Sequence, residues 1–212
     1  MNSSALGIVV VTWLTLFIKI IRTKTHSKEQ MDEHKIVPDV LDNVPPNVIQ
    51  ISYPSGQTVE LGNELAPKQV KHVPSLQWPA VAGALYTLCM TDPDAPSRAK
   101  PTHGEFKHWL VVNIPGTDIK AGKTLADYLG SGPPHGSGFH RQPTGALDCN
   151  DRCVSSRDLE GRRSFKIRDF ARKHGLGKPV AANFYLAKWD SYVPQLYAQF
   201  AIAMARKRCT IV

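Results

Sequence analysis

From Thr91 to Arg141 the sequence runs TDPDAPSR, KHWLVVN and GSGPPHGSGFHR in quick succession, with loop-forming residues on either side of an apolar run. The density of glycine and proline there fits one pocket assembled from several loops that leave neighbouring strands. The stretch holds one candidate acid, Asp92, and two candidate imidazoles, His108 and His140. Together these groups suit an anion-binding pocket better than a catalytic centre.

The surrounding sequence supplies the strands. Residues 84–90, ALYTLCM, form an apolar run that stops at Asp92-Pro93-Asp94 and reads as an interior strand. Residues 106–114, FKHWLVVNI, end at Pro115-Gly116, and a period of two places Phe106, His108, Leu110 and Val112 on one face. NVIQISY alternates as a half-buried strand does, and the domain is expected to begin there, near Asn47. Helices follow in the last third. IRDFARKHG stops at Gly175, with Lys173 and His174 at the negative end of the helix dipole. After the strand PVAANFYLAKW comes SYVPQLYAQFAIAMARKR, where Asp190 or Ser191 can cap and Pro194 suits the first turn. Its stripe of Val193, Leu196, Tyr197, Phe200 and Met204 reads as core packing.

With 212 residues, 42% hydrophobic and 21% charged, the chain can bury a sizeable core, so one domain with extensions is expected. The expected divisions are an apolar segment 1–21, a linker 22–46, the folded domain 47–200 and a basic tail 201–212. The net charge of +8 favours acidic partners such as lipid headgroups or phosphorylated surfaces, although about half of the excess lies at the two ends. Cys89, Cys149, Cys153 and Cys209 fit neither a disulfide scaffold nor paired zinc ligands, but Cys149 and Cys153 could bridge in an oxidising compartment.

Residues 5–21, ALGIVVVTWLTLFIKII, are interrupted only by Lys19 and followed by Arg22, Lys24 and Lys28. That length is the lower limit for a spanning helix and also suits the apolar core of a signal peptide. The positive charge follows the run instead of preceding it. The positive-inside rule therefore gives an anchor with the folded domain on the cytosolic side; secretion after signal cleavage is the alternative.

Each group in the central stretch has an ordinary explanation. Asp92 or Asp94 could simply cap a turn, and a lone histidine such as His108 on a strand is commonly a satisfied core residue. Their joint occurrence beside Gly130, Gly132, Gly136 and Gly138 changes the reading. Glycines let backbone N–H groups turn toward an anion, Pro133 and Pro134 stiffen the loop, and amides of residues 130–132 with one or two imidazoles meet a phosphate's need for donors. A carboxylate beside the histidines would orient them and favour their charged form.

The motifs TDPDAPSR, HWLVVN, DYLGSGPPHGSGFHR and WDSYVPQLYAQF resemble those of the phosphatidylethanolamine-binding protein family, whose animal members include the Raf kinase inhibitor proteins. The resemblance runs from about Asn47 to Phe200. It implies a mainly β fold, a β-sandwich with a Greek-key connection and a few short helices, one of them C-terminal, beside a small anion pocket. It also implies binding of phosphorylated headgroups and related anions, with kinases or proteases regulated by binding and not by catalysis. By motif position the pocket residues fall on Asp92, Pro96, His108, Gly132, Pro134 and His140, with Tyr197 near the mouth. Phe106 stands where many relatives carry tryptophan, and Gly130 and Ser131 belong to the same loop.

One departure stands out. Relatives continue after the GFHR motif with an aromatic pocket residue and an apolar strand, whereas Arg141 is followed directly by Gln142-Pro143-Thr144-Gly145. A core strand is therefore expected to be deleted, with ALDCNDRCV too polar to replace it. At the far end, Cys209-Thr210-Ile211-Val212 after Arg206-Lys207-Arg208 resembles a prenylation box, and the same ending could pair with a PDZ-type groove.

The functional expectation is a non-enzymatic module, held at the membrane through residues 5–21, that binds a phospholipid headgroup or a phosphorylated protein and modulates a kinase or protease. A secreted carrier of lipid or small ligands is one alternative. A metal-dependent hydrolase using Asp92, His108 and His140 is another. No cofactor and no nucleic-acid partner are expected, and the protein is expected to be a monomer.

Overall fold

The computed structural model describes residues 23–149 and 161–209, with side chains as far as residue 203. In chain order the strands are β1 (Asn47–Val48), β2 (Gln50–Ser52), β3 (Ser75–Gln77), β4 (Leu85–Asp92), β5 (Phe106–Pro115), β6 (Lys123–Ala126), β7 (His140–Cys149) and β8 (Pro179–Ala187). Residues 23–33 are helical (α1), followed by a helical turn, Ile36–Asp39 (α2), then α3 (Ile167–Lys173) and α4 (Val193–Cys209). Six strands form one sheet in the order β1-β8-β7-β4-β5-β6, antiparallel except where β1 runs parallel to β8. β2 and β3 pair separately as a short ribbon. The protein is mainly β, with a mixed sheet and few helices.

The interior strands separate two cores. On one face Tyr86, Leu88, Met90, Trp109, Val111 and Tyr185 pack against Ile51 and Leu76 of the ribbon. On the other, Cys89, Leu110, Val112, Leu147 and Phe184 meet Ile167 and Phe170 of α3. Successive side chains on one strand serve opposite cores, which is why these strands read as continuous apolar runs and not as alternating ones.

Three expectations are corrected by this arrangement. Residues 22–46 are not simply a linker: α1 and α2 deliver Met31, Ile36, Val40 and Leu41 into the second core. These anchors sit within short elements between charged residues, so they leave no sustained apolar period. NVIQISY is divided between the two sheets, with Ile49 fully buried between β1 and β2.

The third correction concerns the segment after Arg141. A strand does follow the motif: β7 runs ten residues, His140–Cys149, through the middle of the sheet. It pairs with β4 from Met90↔Thr144 to Leu85↔Cys149 and with β8 from His140↔Ala187 onward. Backbone ladders hold a strand whatever its side chains, provided that proline avoids a position whose N–H must donate to a neighbouring strand. Pro143 lies just beyond the last β4 pair and faces only Phe184 of β8. The polar composition instead leaves an orphan, for Gln142 is fully buried and neither its amide nitrogen nor its oxygen finds a partner among the described residues.

Residues 5–21 and Cys153 lie outside the described residues, as does the side chain of Cys209. Among the described residues no helix is long and apolar enough to cross a membrane. Cys149 is disulfide-bonded, and Cys89 is a buried free thiol.

Candidate anion-binding site

The site is built where β4, β5 and β7 end. β4 finishes in the Asp-Pro-Asp turn, where Asp92 Oδ1 accepts from the backbone N–H of Asp94 at 2.8 Å, a local bond typical of aspartate at a turn. That leaves Asp92 Oδ2 to face Nδ1 of His140 at 2.7 Å. Both side chains are buried, at 6% and 1% exposure, so the pair works in a weakly screened setting. Nε2 of His140 lies 2.9 Å from Ser137 Oγ, whose single hydrogen is directed to the carbonyl of Pro134 at 2.7 Å. Asp92, His140 and Ser137 thus form one hydrogen-bonded chain from the end of β4 through the start of β7 into the glycine loop.

His108 reaches this pair because β5 bulges. Met90 pairs with Trp109 and Thr91 with Lys107, so His108 is the extra residue between them. A bulge of this kind re-aims a side chain. It also ends the face expected for Phe106, His108, Leu110 and Val112: Phe106 and His108 stack at 5.0 Å, while Leu110 and Val112 belong to the second core. Nδ1 of His108 donates to the Leu129 carbonyl at 2.8 Å, and Nε2 has no partner among the described residues. Burial lowers the His108 pKa below its ordinary value of 6.5, opposed by the nearby Asp92 carboxylate. Arg162 fixes the bulge from outside, donating to the carbonyls of Lys107 and His108 at 2.9 and 3.0 Å.

The glycine loop closes the other side. Ser131 is fully buried and hydrogen-bonded to the hydroxyl of Tyr185. Gly130 and Gly132 matter for close approach, not for backbone torsion. A Cβ on Gly130 would come within 2.8 Å of the Val70 carbonyl, and one on Gly132 within 2.9 Å of Leu196 on α4. α4 thereby docks on the loop, and the Tyr197 hydroxyl, on a side chain that stays half-exposed, donates to the Gly132 carbonyl at 2.7 Å. Gly136 and Gly138 supply left-handed backbone, with φ of 77° and 79°. Pro134 stands beside Ser137, and Pro96 lies partly buried in the loop after β4.

The ten sequence-derived site residues lie on β4, β5 and β7, in the loops after β4 and before β7, and on α4; among them Asp92 bonds His140, Phe106 touches His108, and Tyr197 bonds the Gly132 carbonyl. Four contributors were missed. Ser137 was hidden among loop residues, Arg162 lies far along the chain, and Tyr185 was read only as strand. The fourth is Asp94, whose carboxylate accepts from the Arg141 backbone N–H at 2.8 Å and from its guanidinium at 2.6 Å. Arg141 also donates to Asp39 and to the carbonyls of His34 and Lys35, which fastens the Asp92 turn and the start of β7 to the α1–α2 segment. Gln142 is a further neighbour, two residues beyond His140 on the same strand face and opposite Tyr185.

The facial metal triad of Asp92, His108 and His140 is not formed. Asp92 and His140 are bonded to each other, His108 turns Nδ1 to a carbonyl, and no group of three or more such side chains converges on a metal position among the described residues. Two cavities, of about 750 and 860 Å³, lie elsewhere. Neither is lined by Asp92, His108 or His140.

A β-sheet domain that gathers an aspartate, two imidazoles and a glycine-proline loop at one end has the architecture of phosphatidylethanolamine-binding proteins. The sequence model of the family described as "Phosphatidylethanolamine-binding protein" matches residues 55–185. The chain is 36% identical over 172 residues to "Putative odorant-binding protein A5" of Drosophila melanogaster, covering 78% of this chain and 82% of that protein. It is similar in structure to a carboxypeptidase Y inhibitor solved in complex with its cognate proteinase, with a TM-score of 0.69 and 25% identity over 78% of this chain and 96% of that one. A phosphatidylethanolamine-binding protein from Plasmodium vivax superposes with a TM-score of 0.63 and 25% identity, covering 77% of this chain and 97% of that one. The chain belongs to the phosphatidylethanolamine-binding protein family.

Proposed function

We propose that the protein is a non-catalytic binder of phosphate-bearing groups, and that occupancy of the pocket by a phospholipid headgroup or a phosphorylated side chain governs its association with a kinase or protease. The observation that carries this reading is the Asp92–His140–Ser137 chain, with Asp92 and His140 buried, beside His108, whose Nε2 has no partner among the described residues. Protonated His108 offers that nitrogen to a phosphoryl oxygen, and an anion can take the place of Ser137 at His140. The loop around Ser131 and Gly132 and the rings of Phe106, Pro134 and Tyr197 would enclose the esterified end.

Regulation of a protease is supported by the similarity to an inhibitor bound to its proteinase. Residues 5–21, and lipidation of Cys209, would hold the domain against a cytosolic membrane face, where phosphorylated headgroups are concentrated.

Isothermal titration with phosphoethanolamine tests the pocket. Because His108 is held neutral by burial, affinity should rise as pH falls below 6.5. His140→Ala should weaken binding by about tenfold or more, the worth of one charge-assisted hydrogen bond. Affinity that ignores pH, or a His140→Ala variant that binds normally, would overturn the assignment.

A further inference from the structure

We infer that a second ligand site lies on the face of the sheet opposite the anion pocket, in the cavity of about 860 Å³ between α3, residues 40–46 and strands β4, β7 and β8, and that it takes a single-chain amphiphile with an anionic head. The cavity exists because three adjacent strands present small side chains at one level. Cys89 of β4 pairs with Gly145 of β7, and Gly145 pairs with Ala182 of β8, so the row Cys89–Gly145–Ala182 crosses the sheet. All three line the cavity, and Pro143 and Leu147 extend the floor along β7. A Cβ placed on Gly145 would meet no atom closer than 4.0 Å, and its backbone is not left-handed. An interior strand position with that much open space is a floor, not a packed layer.

The walls are apolar and the mouth is cationic. Val40, Leu41 and Val44 stand on one side, with Ile167 and Ala171 of α3 on the other. Around them the lining includes Lys166, Arg168, Arg172 and Lys178, against the carboxylates of Asp42 and Asp169 only. Arg168 is bound to Asp42 and Arg172 to Asp169. Lys166 instead donates to the Gly104 carbonyl, and Lys178 has no ion pair among the described residues, so neither ammonium is held in a salt bridge by the two carboxylates of the lining. The volume lies in the range of small-molecule sites, roughly 300–1,000 Å³. An alkyl chain on the Cys89–Gly145–Ala182 floor with its carboxylate among these cations satisfies both halves of the lining.

Dodecanoate, titrated calorimetrically into the full chain, tests the site. Saturable binding should be weakened by about tenfold or more in Gly145→Leu, whose side chain fills the floor, without a fall in Tm. His140→Ala should bind dodecanoate as the wild type does, which separates this site from the anion pocket. The surface double variant Arg172→Glu/Lys178→Glu should weaken dodecanoate while leaving dodecanol unaffected, a test that does not depend on repacking the interior. No saturable binding by the wild type, unchanged affinity in the Gly145→Leu or the double variant, or loss of binding in His140→Ala would each overturn the inference.

Discussion

Glu105 is buried beside Thr91, with Oε2 lacking a hydrogen-bond partner among the described residues. Burial pushes its pKa up to about 7, only partly offset by its hydrogen bond with Thr91 and by Lys166. The raised value has a definite sign in stability. Between about 4.5 and 7 the folded protein holds a proton that the unfolded chain has released, so stability contributed by the neutral acid is full at low pH and is lost as pH rises to about 7. His108 acts oppositely: its lowered pKa favours the folded state above 6.5 and costs stability as pH falls below it. Glu105→Gln should therefore raise the unfolding free energy at pH 7.5 by about 1–3 kcal/mol, and denaturant melts across pH should lose the decline between 4.5 and 7. An unchanged pH profile would show that Glu105 is not the group responsible.

Among the elements, the α1–α2 segment and β7 carry the largest consequences. Ile36 and Met31 are buried at 1% and 0% exposure in the core shared with α3, and Arg141 ties the same segment to the Asp92 turn. Ile36→Ala should cost about 2–5 kcal/mol in chemical denaturation, the usual range for emptying a buried aliphatic site. A cost near zero would restore the linker reading. These elements also mark where sequence reasoning reached its limit. β4, β5, β8 and α4 were legible because apolar runs and turn residues delimit them, and Asp92, His108 and His140 because their motifs are distinctive. β7 was not, since its ladder bonds are made by backbone and leave no trace in the side chains of Gln142, Pro143 and Thr144. The bulge at His108 was equally hidden, because it depends on the register between β4 and β5 and not on the sequence of either strand. Ser137, Asp94 and Arg162 became visible only once the loops were folded onto them.

At the scale of the whole molecule, one sheet with two buried faces presents different chemistry on each. The anion pocket gathers at one end of the first face, while the second carries the basic-rimmed cavity above Gly145. Because β7 is continuous from His140 to Cys149, the pocket has its supporting strand and the domain retains both cores. The chain has 8 histidines, and a ligand at the proposed pocket meets two of them. Imidazole resonances followed by NMR during titration with phosphoethanolamine give the most direct reading. Saturable shifts of His108 and His140, with the other histidines unmoved, are the expected result; no shift at these two, or larger shifts at other histidines, would contradict an anion site built on Asp92, His108 and His140.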